Sequence, residues 1–309
     1  MKQISDKFPS PLKLFALTVG ILLGMLIVGS VVAGGILLAG GIDPLGFGAG
    51  DLPADARQGL RLGLLLNNLL TFGGTAFIVF LVAYRRFWRP AAGLNAPANR
   101  KALPYVIATF VLAFPFIAYA AWLNLQLPLP DWMLQNEAQT NTLLKSVLTM
   151  NSVPELLMAL LTVAVTPAIG EELLLRGLVQ RRILHPVFKS HHFAIWIAAI
   201  VFSAMHMEFA GFVPRMLLGI LLGYAYYWTN SLWVPVILHF FFNGMQVMVT
   251  YFNGQYIPDT EITDVPPWYL AVASLLVIVA LGVYITRTFN PEAHPDPLLR
   301  EQSAEDLSA

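Results

Sequence analysis

The sequence predicts an all-α polytopic membrane protein with about eight transmembrane helices and both termini cytoplasmic. Three observations carry that reading. Of 309 residues, 57% are hydrophobic and 12% charged, where a soluble domain is about 45–50% apolar and about 25% charged. Runs of about 20 mostly apolar residues, the length that crosses a bilayer, recur along the chain. Between those runs the basic residues sort to one side, as cytoplasmic loops require.

The runs fall in order at about 14–39, 62–84, 103–125, 154–179, 192–207, 213–228, 232–251 and 268–286, the fifth and sixth being short. The first is too long for a signal-peptide core and is followed by no small-residue cleavage site. Between the third and fourth lies a polar stretch, 126–152. In it Leu143, Leu144, Val147 and Leu148 recur at helical spacing beside Gln139, Asn141 and Lys145, the pattern of an interfacial or re-entrant amphipathic helix. The organisation expected is a three-helix region over 1–125, that amphipathic segment over 126–152, a five-helix core over 153–289 and a disordered polar tail over 290–309.

Eight spans put both termini on one side. That side holds Lys2, Lys7, Lys13, Arg85, Arg86, Arg89, Arg100, Lys101, Arg181, Arg182, Lys189, Arg287 and Arg300. The other holds Arg57, Arg61, Lys145 and Arg215, with Asp43, Asp51, Asp55, Asp259, Glu261 and Asp264 in its loops. Trp122, Trp132, Trp228, Trp233 and Trp268 mark span ends, as an aromatic belt does. A balance of 18 basic and 18 acidic residues gives no reason to expect nucleic acid as a partner. The absence of cysteine removes disulfides, thiolate metal sites and a Cys nucleophile. Lack of a cleavable targeting signal fits a bacterial inner membrane, with the lipid bilayer and a membrane-associated peptide or protein as expected partners.

Ionisable residues inside spans are costly and mark function or pairing. The fourth span contains Glu171, Glu172 and Arg176, the only basic residue outside loops, tails and span ends. The fifth contains Phe202 and His206, and the seventh His239 and Asn243. Glu172 and Arg176 stand at i,i+4 and share a face, whereas Glu171 points about 100° away. One carboxylate is thus free to face a cavity while the other balances Arg176. His239 and Asn243 share a face as well. Pro167 and Gly170, just before the acidic pair, can loosen the helix and admit water. A carboxylate held in an apolar site can act as a general base near neutral pH, a histidine can share its water, and a His with an amide can stabilise an oxyanion. A zinc site is the other chemistry open to Glu171, His206 and His239, since catalytic zinc takes three protein ligands and water; the residues alone leave Zn2+ or no cofactor undecided.

At these positions the chain resembles the CPBP intramembrane proteases, the family of the CAAX prenyl endopeptidase and the bacterial Abi proteins. The likeness rests on Glu171-Glu172-x-x-x-Arg176, Phe202-x-x-x-His206 and His239-x-x-x-Asn243, in order and inside spans, and covers about 154–249. It implies Glu171 as the water-activating base with His206 as its partner, and His239 and Asn243 in transition-state stabilisation. Glu172 and Arg176 would orient and balance the site. The family has been described both as metalloproteases and as glutamate proteases; Asn243 suits a carbonyl oxygen better than zinc. The function expected is therefore an intramembrane endopeptidase. Its rivals are a non-enzymatic immunity or scaffold protein that binds a peptide or bacteriocin, and a proton-coupled transporter using the same Glu/His set as a relay. Gly20-x-x-x-Gly24 and Gly219-x-x-x-Gly223 are expected to permit close helix packing. Glu155 and Glu208 are expected to be solvated or capping, and His185, His191 and His192 interfacial.

Overall fold

A computed structural model describes residues 8–42, 52–258, 264–293 and 296–298, and among these all regular structure is helical. The helices are α1 (Pro11–Ala39), α2 (Ala54–Ala92), α3 (Arg100–Leu125), α4 (Asp131–Leu148), α5 (Val153–Phe188), α6 (His191–Met205), α7 (Phe212–Thr229), α8 (Trp233–Asn253) and α9 (Trp268–Phe289). Each of the eight expected spans falls on a helix, and α4 occupies the amphipathic stretch. Among the described residues six helices are long and apolar enough to cross a membrane; α6 and α7 fall below that measure. Large apolar side chains along α1 and α9, including Leu23, Val31, Leu276 and Val279, point outward. A helix bundle that exposes such residues over whole faces is built for an apolar surround. The protein is a multi-pass integral membrane protein.

Prolines inside the spans are accommodated locally. Pro115 follows a break in α3 at Ala113. Ahead of Pro167, α5 widens into π-type turns over Leu161–Val165. There the Thr166 hydroxyl donates to the Leu161 carbonyl at 2.6 Å and to that of Thr162 at 3.2 Å. Side-chain donors of this kind replace what proline cannot give. The helix therefore continues through Pro167 and Gly170. At Gly170 a β-carbon would lie 3.1 Å from the Gly73 nitrogen of α2 and 3.3 Å from Phe72, so these two glycines bring the helices into close approach. A second run of wide turns, Leu173–Leu184, starts directly after Glu172; π-type turns cluster at functional sites.

The helix α5 is the hub, packed against α1, α2, α6 and α8. One apolar core joins α1, α2 and the later half of α5 through Leu14, Phe80, Tyr84, Leu174 and Leu178. Another joins α3, α7, α8 and α9 through Phe110, Leu222, Trp228, Leu238 and Ile285.

Several sequence expectations are corrected here. Gly20 and Gly24 have no neighbouring helix within 4 Å, whereas Gly29, one turn further on, faces Thr71 and Asn67. The spacing of small residues marks a helix face without saying which face meets a partner. The second pair does pack: β-carbons at Gly219 and Gly223 would lie 3.1 Å from Ala199 and 2.8 Å from Ile195 of α6. Arg57, Arg61 and Glu155 are not loop charges. All three are buried, Arg61 at 0% exposure, and Glu155 Oε1 accepts from Arg57 at 2.7 Å and from Arg61 at 3.2 Å. Arg61 also donates to the Val147 carbonyl at 2.8 Å and to that of Thr149 at 2.5 Å, which ties α2 to the end of α4 and the start of α5. Glu155 keeps part of its expected capping role, because its other oxygen accepts from the Asn151 amide at 2.8 Å. Glu208 pairs with Arg215. The described part of the tail is held as well: Asp296 bonds Arg182 at 2.7 Å and Arg181 at 3.2 Å, and Leu298 is buried. Lys2, Lys7, Asp43, Asp51, Asp259, Glu261 and Arg300 lie outside the described residues, as does most of the tail.

Candidate active site

The site forms where α5, α6 and α8 meet, closed by α2. Glu171 is 6% exposed and Glu172 fully buried, on adjacent faces of α5. Glu172 Oε1 accepts from Arg176 Nη1 at 2.8 Å and from His239 Nδ1 at 2.9 Å. The other arm of Arg176 donates to the Gly219 carbonyl of α7 at 3.1 Å, and its guanidinium lies 4.7 Å from the centroid of the Phe202 ring. That carbonyl is reachable because Gly219 lets α7 approach, so the small residue serves the site as well as the packing.

Hydrogen bonding fixes the imidazole tautomers. His206 Nδ1 lies 2.8 Å from the Phe202 carbonyl oxygen. A carbonyl only accepts, so Nδ1 carries the proton and Nε2 of the neutral ring is a lone pair. The same logic applies at His239, whose Nδ1–H donates to the Glu172 carboxylate; such carboxylate partners orient the ring. Phe202 stands between the two rings, edge-on to both, with centroids 5.1 Å from His206 and 5.8 Å from His239.

Glu171 is differently placed. Its Oε1 has one long contact, 3.5 Å from Asn68 Nδ2, and its buried Oε2 has no protein partner. Glu171, His206, His239 and Asn243 line one cavity of about 320 Å³, together with Pro167, Phe202, Glu208 and Arg215. Asn243 Nδ2 donates to the Val163 carbonyl at 3.0 Å, inside the wide turns before Pro167, which leaves the amide its second proton. All six residues singled out in the sequence therefore belong to one assembly: four line the cavity, and Glu172 and Arg176 stand behind it. The helix α6 ends at Met205, so that His206 sits at its C-terminus and lines the cavity with Glu171 of α5.

Asn68 was not visible in the sequence. It lies on α2, far from the motifs and next to Asn67, and its only signal is a pair of amides inside a span. His185, His191 and His192 stay apart from the cavity: the first two rings stack at 3.8 Å, and His192 bonds the Tyr224 hydroxyl at 2.8 Å.

For zinc, the free Nε2 atoms of His206 and His239 and the carboxylate of Glu171 are chemically suited. Their arrangement is not: among the described residues no three His, Asp or Glu side chains converge closely enough to hold a metal ion.

Fold and site together define a polytopic helical membrane protein with a carboxylate–histidine–amide cluster walled off inside the bundle. Residues 153–245, which contain the cluster apart from Asn68, match the sequence model of the Rce1-like family, described as type II CAAX prenyl endopeptidase. The family likeness seen in the motifs is thus shown for that segment. Over 105 residues the chain is 28% identical to an uncharacterized protein, YpbD, of Bacillus subtilis (strain 168), covering 33% of this chain and 48% of that one. The matched stretch spans about half the length of that relative. No solved structure matches the chain.

Proposed function

We propose that the protein is an intramembrane endopeptidase, similar to CAAX proteases, which hydrolyses a peptide bond of a membrane-associated peptide or protein with water activated by Glu171. The observation that carries this reading is the contrast between the two adjacent carboxylates. Each has one oxygen without a protein partner, but Glu172 is neutralised by Arg176 and seats His239, while Glu171 bonds no cation and faces a cavity shared with His206, His239 and Asn243. A structural ion pair needs only the Glu172 arrangement.

In the reaction Glu171 takes a proton from water as its oxygen attacks the scissile carbonyl carbon, and the carbonyl π electrons move to the oxygen. The remaining amide proton of Asn243 is the donor that needs no change of charge to meet that oxyanion. His239, held through Nδ1 by the Glu172 carboxylate, lines the same cavity as Asn243. His206 lines the cavity beside Glu171 and confines the water there. Collapse of the tetrahedral intermediate expels the amine, which takes its proton from Glu171. The sorting of basic residues supports cytoplasmic termini.

The test is cleavage of membrane-anchored peptides, with and without a prenylated C-terminal Cys, by the purified full chain in lipid nanodiscs, read by mass spectrometry. Glu171→Gln and His206→Ala should each lower turnover by about 10²-fold or more, the scale of general-base and partner losses. Undiminished cleavage in both variants refutes the assignment.

A further inference from the structure

Behind the catalytic cavity lies a second one of about 220 Å³, lined by Asn68, Phe72, Glu171, Leu175, Phe202, Met205 and His206. Glu171, Phe202 and His206 line both cavities and form the wall between them. Two buried acceptor atoms at this second cavity, Asn68 Oδ1 and Glu171 Oε2, have no protein partner. Both belong to residues already joined, since Asn68 Nδ2 donates to Glu171 Oε1 at 3.5 Å. Buried polar atoms are nearly always satisfied, and a single water, with two protons to give, can satisfy two acceptors in one cavity together.

We propose that Asn68 is the water-positioning residue of the site, and that the attacking water is held from this second cavity between Asn68 Oδ1 and Glu171 Oε2. The inference rests on the peptidase reading above and adds a residue from α2, outside the matched segment 153–245. A water donating to both acceptors keeps its lone pairs free for the carbonyl carbon. When that bond forms, one proton passes to Glu171 and the other stays bonded to Asn68. Water then reaches the site from the side opposite the substrate, so a bound peptide filling the first cavity does not displace it. The position of Asn68 is set by the glycine contact of α2 with α5: its Oδ1 lies 3.5 Å from where a Gly170 β-carbon would be.

The experiment pairs kinetics with structure, on the full chain in nanodiscs. Asn68→Leu preserves size and removes both hydrogen bonds. Expected is a fall in kcat on the order of 10²-fold, the cost of misplacing a reacting group by about 1 Å, with KM within about twofold and thermal unfolding unchanged. A kcat within about twofold of the parent, in a variant that unfolds at the parent temperature, overturns the proposal. A high-resolution structure of the unmodified protein decides the same point without turnover. An ordered water within hydrogen-bonding distance of both Asn68 Oδ1 and Glu171 Oε2 supports the assignment, and a well-ordered cavity without one refutes it. Should the unmodified protein cleave no peptide while this water is present, the peptidase reading fails and the water site stands. Should cleavage occur and be indifferent to Asn68→Leu, the reverse holds.

Discussion

Replacing Arg176 by Met tests the division of labour between the two carboxylates. Arg176 is 1% exposed, donates to Glu172 at 2.8 Å and to the Gly219 carbonyl at 3.1 Å. Its removal leaves Glu172, at 0% exposure, as a buried charge with His239 as its remaining partner. Breaking one half of such a pair costs about 3–5 kcal/mol, and the abandoned Gly219 carbonyl adds about 1 kcal/mol. The double variant Glu172→Gln with Arg176→Met removes both charges while the new amide oxygen still accepts from His239 Nδ1. Its loss should therefore be only about 1–2 kcal/mol, because exchanging a whole buried pair for neutral groups is often close to neutral. The assay is reversible denaturant unfolding in mixed micelles, followed by tryptophan fluorescence, for the parent, both single variants and the double. A double variant as unstable as Arg176→Met, or one in which the single losses add, refutes the claim that Glu172 exists in the fold as the partner of Arg176.

Four further outcomes follow from the same geometry. Glu155→Gln should destabilise more than Arg57→Met in that unfolding assay, because it strands two buried cations whereas the latter leaves Glu155 paired to Arg61 at 3.2 Å; equal losses refute this. Gly170→Ala should cost about 1–3 kcal/mol through overpacking against Gly73 and Phe72, while Gly20→Ala, with nothing within 4 Å, should stay within about 0.5 kcal/mol. Burial pushes the Asp296 carboxyl up, but Arg182 and Arg181 outweigh it and hold the group well below its ordinary value of 3.8. Its contribution to holding the C-terminal segment is then complete above about pH 4 and is lost as pH falls through the depressed folded value; protease susceptibility of that segment should rise only in strong acid, and Asp296→Asn should abolish the pH dependence. Cleavage, once measured, should survive exhaustive chelation; loss on chelation with recovery on added Zn2+ would place a metal at Glu171, His206 and His239.

Hydropathy read the helices well because a membrane span is a local property: about 20 apolar residues suffice. The motif residues were legible for a related reason. Glu171, Glu172, Arg176, His206, His239 and Asn243 are polar where polarity is costly, and i,i+4 spacing already separated the paired carboxylate from the free one. What escaped was long-range. Arg57 looks like a loop residue at a span's edge, and only Glu155, 98 positions away, makes it a buried one. The same holds for Asn68, which reaches Glu171 across 103 positions. Gly20 and Gly24 carry a packing motif on a face that meets no neighbour, whereas Gly73 and Gly170, on different helices, form the close contact.

The buried carboxylates of the described residues separate the proposed base, Glu171, from the others. Glu155 is held by two arginines and a backbone amide, Glu172 by an arginine and a histidine, and Glu137 accepts from the Ala210 amide at 2.8 Å. Each bonds in a way that ties helices together, although Glu172 Oε2, like Glu171 Oε2, has no protein partner. Glu171 alone among them has only one long hydrogen bond, from a neutral amide. Leaving a carboxylate so poorly satisfied in an apolar interior costs stability, and the surrounding α5 turns, Gly170 contact and Phe202 wall hold it there nonetheless. A residue kept under-coordinated beside two cavities is available to accept a proton and to release it, and the carboxylate one position along the helix has given up that freedom to Arg176.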